Sequence, residues 1–299
     1  MSGAGEWGNL LKWAFGNDPN NKPKENKRGQ QKNNKRKKHG KNQLDLHGNN
    51  LGIKDIEDYG DTLKKEREDT VIRIGLQNAN NLPAYKQHDK NKQLLNFVWE
   101  HNFDFWMLSE IGLNWSRIDE SNNFYERVRE YFKPVKYKIG YNKQERKSED
   151  KYQPGGTGVI AIDRMASKTI KSGEDKTGLG RWVWLLTEGR ENKKVRVVSA
   201  YRPPDTSNKE NSVMQQQYRY LKDKGRVEEN GDTTNPRKAF YEDLRNEIEE
   251  WKEEGNQIII GLDANEDVRT GATHRFFKDL GMEEAILKKS KPAPQPPIK

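Results

Sequence analysis

No cysteine occurs anywhere in the 299 residues. That absence excludes disulfides, thiol nucleophiles and cysteine-held zinc, and it is compatible with a reducing compartment. Apolar side chains are scarce, 31% against 34% charged, and no apolar run nears the roughly 18–20 residues that cross a bilayer. The short run at 10–15 falls below the length of a signal-peptide core and has no cleavage site behind it. Together these absences predict a soluble, intracellular chain with no membrane insertion. Acidic residues are also missing locally: residues 22–41 hold one, Glu25, and no apolar side chain larger than proline. Such a stretch cannot bury enough surface to offset its ordering entropy, which predicts disorder.

What is present there is basic. The net charge of +9 lies largely in this segment, and a basic arm is drawn to polyanions, of which nucleic acid is the commonest. Lys35, Arg36, Lys37 and Lys38 form its densest cluster, which predicts DNA contact and fits a nuclear-import signal. The chain therefore divides into a basic arm (1–69, with a helical fragment at 56–68), one domain (70–289) and a Pro-rich tail (290–299).

Inside the domain, short β-branched and aromatic runs read as buried strands. The runs at 71–76, 103–108, 195–200 and 257–261 each end in polar residues: Gln77-Asn78-Ala79-Asn80, Ser109-Glu110, Tyr201, and Leu262-Asp263-Ala264-Asn265. Further strands are expected at 135–141, 158–162, 182–187 and 282–287. Helices are expected at 90–101, at 122–132 and from Asn235-Pro236, where Asn caps and Pro suits the first turn. Phe240, Leu244, Ile248 and Trp251 give that last helix one buried stripe, and Thr273 is expected to cap a short helix running to Leu280. Successive strands without helices between them imply antiparallel pairing alongside helix-linked strands, an α+β two-sheet sandwich flanked by helices. Strand ends converging on one edge gather carboxylates, carboxamides and a phenol, a donor set suited to a hard cation and phosphate chemistry.

Five motifs in order, Gln77-Asn78-Ala79-Asn80-Asn81-Leu82, Leu108-Ser109-Glu110, Gly155-Gly156-Thr157-Gly158-Val159, Ala200-Tyr201-Arg202-Pro203-Pro204 and Gly261-Leu262-Asp263-Ala264-Asn265-Glu266, resemble those of the endonuclease/exonuclease/phosphatase superfamily. This is the fold of deoxyribonuclease I and the apurinic endonucleases, and the motifs are most similar to the endonuclease domains of non-LTR retrotransposons. The resemblance implies a Mg²⁺- or Mn²⁺-dependent endonuclease acting on DNA, with other parts of a retroelement protein as partners. It implies Glu110 as principal metal ligand, Asp263 as the residue that orients or deprotonates water, Asn265 as a phosphate donor, Asn78 as a hydrogen-bonding site residue and Tyr201 as a phenol contacting the scissile phosphate. Asn80 stands where many relatives carry aspartate, so it is expected to offer the metal an oxygen without charge. Arg202, apolar in many relatives, suits a bidentate phosphate contact. The late aspartate and the Ser-Asp-His motif of the family find no counterpart, which predicts a C-terminally truncated domain of impaired activity. Two other readings stay open: a phosphatase of a small phosphoester or phosphoinositide, and a non-catalytic protein that binds nucleic acid through its basic arm.

Overall fold

The computed structural model describes residues 68–144, 150–205 and 210–285. The basic arm with Lys35, Arg36, Lys37 and Lys38, all but the last residue of the 56–68 fragment, and the Pro-rich tail lie outside them. Of the strand expected at 282–287, the described part, 282–285, is not extended pairing.

The first half of the domain runs β1 (Ile74–Asn78), α1 (Asp89–Glu100), β2 (Phe105–Ser109), α2 (Phe124–Tyr131), β3 (Val135–Gly140) and β4 (Thr157–Ile162). These strands form a sheet of order β1-β2-β4-β3. The second half runs α3 (Arg164–Lys168), β5 (Thr169–Glu174), β6 (Trp182–Glu188), β7 (Lys194–Tyr201), α4 (Val213–Asp223), α5 (Pro236–Glu253), β8 (Gln257–Asp263) and α6 (Ala272–Asp279), with sheet order β5-β6-β7-β8. Each sheet mixes directions: β1 runs parallel to β2 and β7 parallel to β8, and the remaining pairs are antiparallel. Both parallel pairs are joined through helices, as a parallel connection requires. The architecture is the helix-flanked α+β sandwich that the sequence predicts.

Alternation along the strands makes the layers. In β2, Phe105 and Met107 point between the sheets, where they meet Ile74, Val159, Val183, Leu185 and Val197. Their neighbours Trp106 and Leu108 face the other way, under Leu95 and Val98 of α1 and Phe124 and Val128 of α2. On the far side, the stripe of Phe240, Leu244, Ile248 and Trp251 on α5 covers Trp182, Val198 and Ala200. That helix starts as its sequence predicts: the Asn235 side chain accepts from the Arg237 N–H at 2.8 Å, with Pro236 in the first turn. Gly261 lets the two sheets close on one another, since a Cβ there would stand 2.5 Å from Met107 Cε.

Three elements escape the sequence pattern: α3, β5 and α4. β5 is an edge strand of largely exposed polar residues. α4 buries Gln216 and Gln217 beside Val213, Met214 and Leu221, so its inward face is half polar and carries no clean apolar stripe. Two starts also move. β1 begins at Ile74, three residues later than its apolar run, and β2 begins at Phe105. Thr273 does not cap α6; Gly271 occupies that position and no side chain caps from it.

Candidate active site

The registers of the two parallel pairs place four strand ends side by side. Asn78 of β1 lies opposite Ser109 of β2, and Tyr201 of β7 lies opposite Asp263 of β8. The buried Ser199 hydroxyl donates to the Leu108 carbonyl at 2.9 Å, tying β7 to β2 one turn of the pleat below. Asp263 therefore faces the other sheet, and its Oδ2 accepts from Asn78 Nδ2 at 2.8 Å and from Ser109 Oγ at 3.1 Å. The orientation of Asn78 is itself determined. Its Oδ1 accepts the Asn80 backbone N–H at 2.8 Å, and because that N–H can only donate, the amide nitrogen of Asn78 must point to Asp263. Both donors thus act on one oxygen of Asp263.

Glu110 follows β2 with a left-handed backbone, φ +48°. Its main chain is fixed from outside, the Asn81 N–H donating to its carbonyl at 2.8 Å. The carboxylate accepts the Tyr201 hydroxyl on Oε1 at 3.0 Å. Burial, and then the neighbouring charges of Glu110 and Asp263, push the Tyr201 phenol far above its ordinary range, with Asn265 acting weakly the other way. Tyr201 is thus a protonated donor at any physiological pH. Asn265, also left-handed at φ +49°, gives one amide proton to the Arg202 carbonyl at 2.8 Å and keeps a second beside Tyr201. Non-glycine residues held at positive φ cost about 1–3 kcal/mol each, a strain that gathers at functional sites.

Asn78, Glu110, Tyr201, Asp263 and Asn265 are therefore brought together. Arg202 is not, and Asn80 joins through its main chain, its N–H on Asn78. β1 ends at Asn78 and Asn80 sits in the following turn at φ +43°, exposed, so alternation no longer sets its direction. The carbonyls of Asn80 and Asn81 instead hold the Lys90 ammonium, at 2.9 and 2.8 Å. Arg202 points away from Tyr201 into the protein, 5% exposed, where its Nη1 donates to Glu266 Oε2 at 2.7 Å and to the Ala264 carbonyl at 3.2 Å. In this position it supports the 263–266 loop. His274 is exposed on α6.

Two residues of the arrangement carry no site role in the sequence analysis. Ser109 is one; its position before Glu110, at the end of a fully buried strand, is the signal that marks it. Glu266 is the other. Besides Arg202 it accepts from Tyr241 Oη at 3.1 Å, Arg237 at 3.4 Å and the Thr273 N–H in the first turn of α6, which anchors the loop carrying Asp263 and Asn265. Burial works against its charge, yet the Thr273 bonds and Arg202 outweigh it and hold the carboxyl below its ordinary 4.5. Buried Asp175 behaves alike: burial opposes ionisation, but paired Arg181 and Thr177 hold it below 3.8. Both folded-state values are depressed, so both contributions to stability are full above the unfolded values and disappear as pH falls through the folded ones. Thermal unfolding midpoints should accordingly hold near neutrality and drop as pH falls below about 4.5, with Glu266→Gln flattening the upper part of that slope.

Among the described residues, no three of His, Asp and Glu gather as a ready metal cage. The donor set nevertheless fits one hard cation. Glu110 supplies a carboxylate beside a second one, Asp263, and Mg²⁺ is commonly held by one or two carboxylates with water and substrate phosphate completing its shell. Next to Tyr201 lies a small cleft of about 10 Å³, lined among others by Gly155, Gly156, Leu179, Val213 and Gln217.

No family model matches the sequence, and no curated protein does. Solved structures do. An endonuclease/exonuclease/phosphatase family protein from Leptotrichia buccalis is 15% identical with a TM-score of 0.45, over 71% of this chain and 73% of that one. Humanized TDP2 of D. rerio is 14% identical at 0.39, over 71% and 67%. An AP endonuclease from Archaeoglobus fulgidus is 10% identical at 0.40, over 73% and 68%. Among the described residues no helix is long and apolar enough to cross a membrane.

Proposed function

We propose that this chain is a Mg²⁺- or Mn²⁺-dependent phosphodiesterase of the endonuclease/exonuclease/phosphatase superfamily that cuts DNA in the nucleus, a retrotransposon-type endonuclease. The observation that carries the reading is the double anchoring of Asp263 Oδ2 by Asn78 and Ser109, beside the Glu110–Tyr201 pair. A carboxylate fixed through one oxygen presents the other in a constant direction, which is what a general base for water requires. Asn78 and Ser109 donate to it, so its charge is stabilised without being neutralised.

Tyr201 and Asn265 act on the phosphate. Both are neutral groups next to a carboxylate base and do not quench it, the Tyr201 proton being shared with Glu110 and one Asn265 amide proton with the Arg202 carbonyl. No histidine of the described residues joins them, so the side-chain donors assigned to the phosphate are neutral. Glu110 is the residue that would hold the cation, with Asp263 adjacent. When bound, the cation supplies Lewis-acid charge to the phosphoryl oxygen. The left-handed turn at Glu110 aims its carboxylate at the strand ends rather than along β2.

The test is nicking of supercoiled plasmid by the purified full-length chain. Wild type with Mg²⁺ is expected to convert supercoiled to open-circular DNA, whereas EDTA or Glu110→Ala stops conversion. Binding of plasmid without nicking, by a folded protein, would sink the enzyme reading and leave the basic arm as the active part. Hydrolysis of an inositol phosphate in place of DNA would redirect the substrate.

A further inference from the structure

Three segments meet just beyond β2 and form an irregular extension of the sheet. The chain after β1 lies along one side, with the N–H groups of Ala79, Asn81 and Leu82 donating to the carbonyls of Ser109, Glu110 and Ile111. The chain before β4 lies along the other. There, Gly112 N–H donates to Gly155, Gln153 N–H to Gly112 and Asn114 N–H to Lys151, and Leu113 bridges Tyr152. Glu110 begins the middle segment of this extension, so its flanks run on from the carboxylate proposed to hold the cation.

Two aromatic rings stand there in solvent. Tyr85, on the first flank, is 53% exposed, and Tyr152, on the second, is 55% exposed. Isolated exposed aromatics are ordinary on protein surfaces, but here the chain neighbour of Tyr152 bridges the two flanks. Lys151 reaches across the middle segment to place its ammonium 4.9 Å from the Tyr85 ring centre and 3.3 Å from its hydroxyl. On the first flank, Lys90 is clamped by the Asn80 and Asn81 carbonyls. Among the described residues neither Lys90 nor Lys151 pairs with a carboxylate, whereas Lys86 nearby is matched by Glu130 at 3.2 Å. The rim thus presents two exposed rings, Tyr85 with the Lys151 ammonium over one face, and two ammonium groups without a carboxylate partner among the described residues, along the extension that starts at Glu110.

We infer that this rim binds single-stranded nucleic acid, bases stacking on Tyr85 and Tyr152 and flanking phosphates drawn to Lys90 and Lys151. The inference rests on the reading of the Glu110–Asp263 site as a nuclease centre and names its substrate form. Base π-faces are available to a protein ring only where the duplex is open, and stacking of this kind is tolerant of sequence. Lysines offer point charges in place of the bidentate fork that reads base edges, so the rim selects strand form over sequence.

The experiment is fluorescence anisotropy of the full chain in EDTA with a labelled oligothymidylate of about ten nucleotides, within the length such sites cover. The same length of abasic tetrahydrofuran backbone and a duplex serve as comparators, at about 0.2 M salt to suppress purely electrostatic binding by the arm. Wild type should prefer the oligothymidylate over the abasic chain, by about fivefold or more for each stacked ring. Tyr85→Ala/Tyr152→Ala should erase that preference and Tyr85→Phe/Tyr152→Phe should keep it. Hydrolysis of methyl p-nitrophenyl phosphate, which offers no base, should be the same in all three proteins. Equal binding of based and abasic strands by wild type, tighter binding of duplex, or loss of the preference in the Phe pair would overturn the inference. Absence of diester hydrolysis alongside an intact base preference would overturn the nuclease reading and leave the rim standing.

Discussion

Asp263→Asn is expected to slow phosphodiester hydrolysis about 10²–10⁴-fold with the fold intact, the range for losing a positioned general base. The geometry makes this substitution unusually informative. Asn78 Nδ2 and Ser109 Oγ both donate to the same oxygen of Asp263, so an amide placed there must turn its own oxygen toward them. Its nitrogen then takes the position of Oδ1, and an N–H₂ group cannot accept a proton from water. Shape and anchoring survive; the base does not. Thermal stability should change little, since no buried donor is left unmatched. Glu110→Gln should differ in kind. It removes the anion that would hold the cation, so raising Mg²⁺ or Mn²⁺ should recover part of its rate and none of that of Asp263→Asn. Wild-type single-turnover nicking by Asp263→Asn would sink the base assignment.

How far the sequence reveals this site depends on where each residue sits relative to its strand. Inside strands, period two holds, and the converging ends of β1, β2, β7 and β8 are legible because each is a buried run closed by a polar residue. One step past the strand the rule fails. Asn80 and Asn265 both take positive φ, so neither is placed by alternation with Asn78 or Asp263. Asn265 reaches the site by its turn, whereas Asn80 meets it through its backbone N–H on Asn78. Arg202 does continue the pairing, its N–H donating to the Asp263 carbonyl at 3.0 Å. That sends its side chain opposite to Tyr201 and into the carboxylate of Glu266, a partner 64 residues away that local pattern does not reveal. Ser109 is illegible for a different reason. A small hydroxyl in a buried run reads as a tolerated core residue until Asp263 is seen to aim at it. Likewise α4 is concealed because Gln216 and Gln217, buried like core residues, break the apolar stripe by which a helix is recognised.

Arg181→Met is expected to destabilise the protein by about 3–5 kcal/mol, the cost of breaking a buried ion pair from one side. Asp175 follows β5 and Arg181 precedes β6, so their pairing closes the hairpin that starts the second sheet. Both side chains are 1% exposed, with Nε to Oδ2 at 2.6 Å and Nη2 to Oδ1 at 3.0 Å, a bidentate contact that a lysine could not reproduce. A third arm of the guanidinium meets Asp243 at 2.8 Å. The two acids are not equivalent. Asp243 keeps Arg226 at 2.8 Å when Arg181 is lost, whereas Asp175 keeps only Thr177 and remains charged in the interior. Most of the penalty should therefore sit on Asp175, and Asp175→Leu/Arg181→Met should regain a large part of it, because a buried pair replaced by apolar groups is often close to neutral. Urea unfolding of the two variants beside wild type measures this. Equal loss in both would place the cost in packing against Trp182, whose ring lies 4.5 Å from the guanidinium, and not in the stranded charge. The site is coupled to the same contact, since the Tyr201 N–H donates to the Arg181 carbonyl at 2.8 Å. The single variant should consequently lose nicking rate even at temperatures where it remains folded, and the double variant should recover rate together with stability.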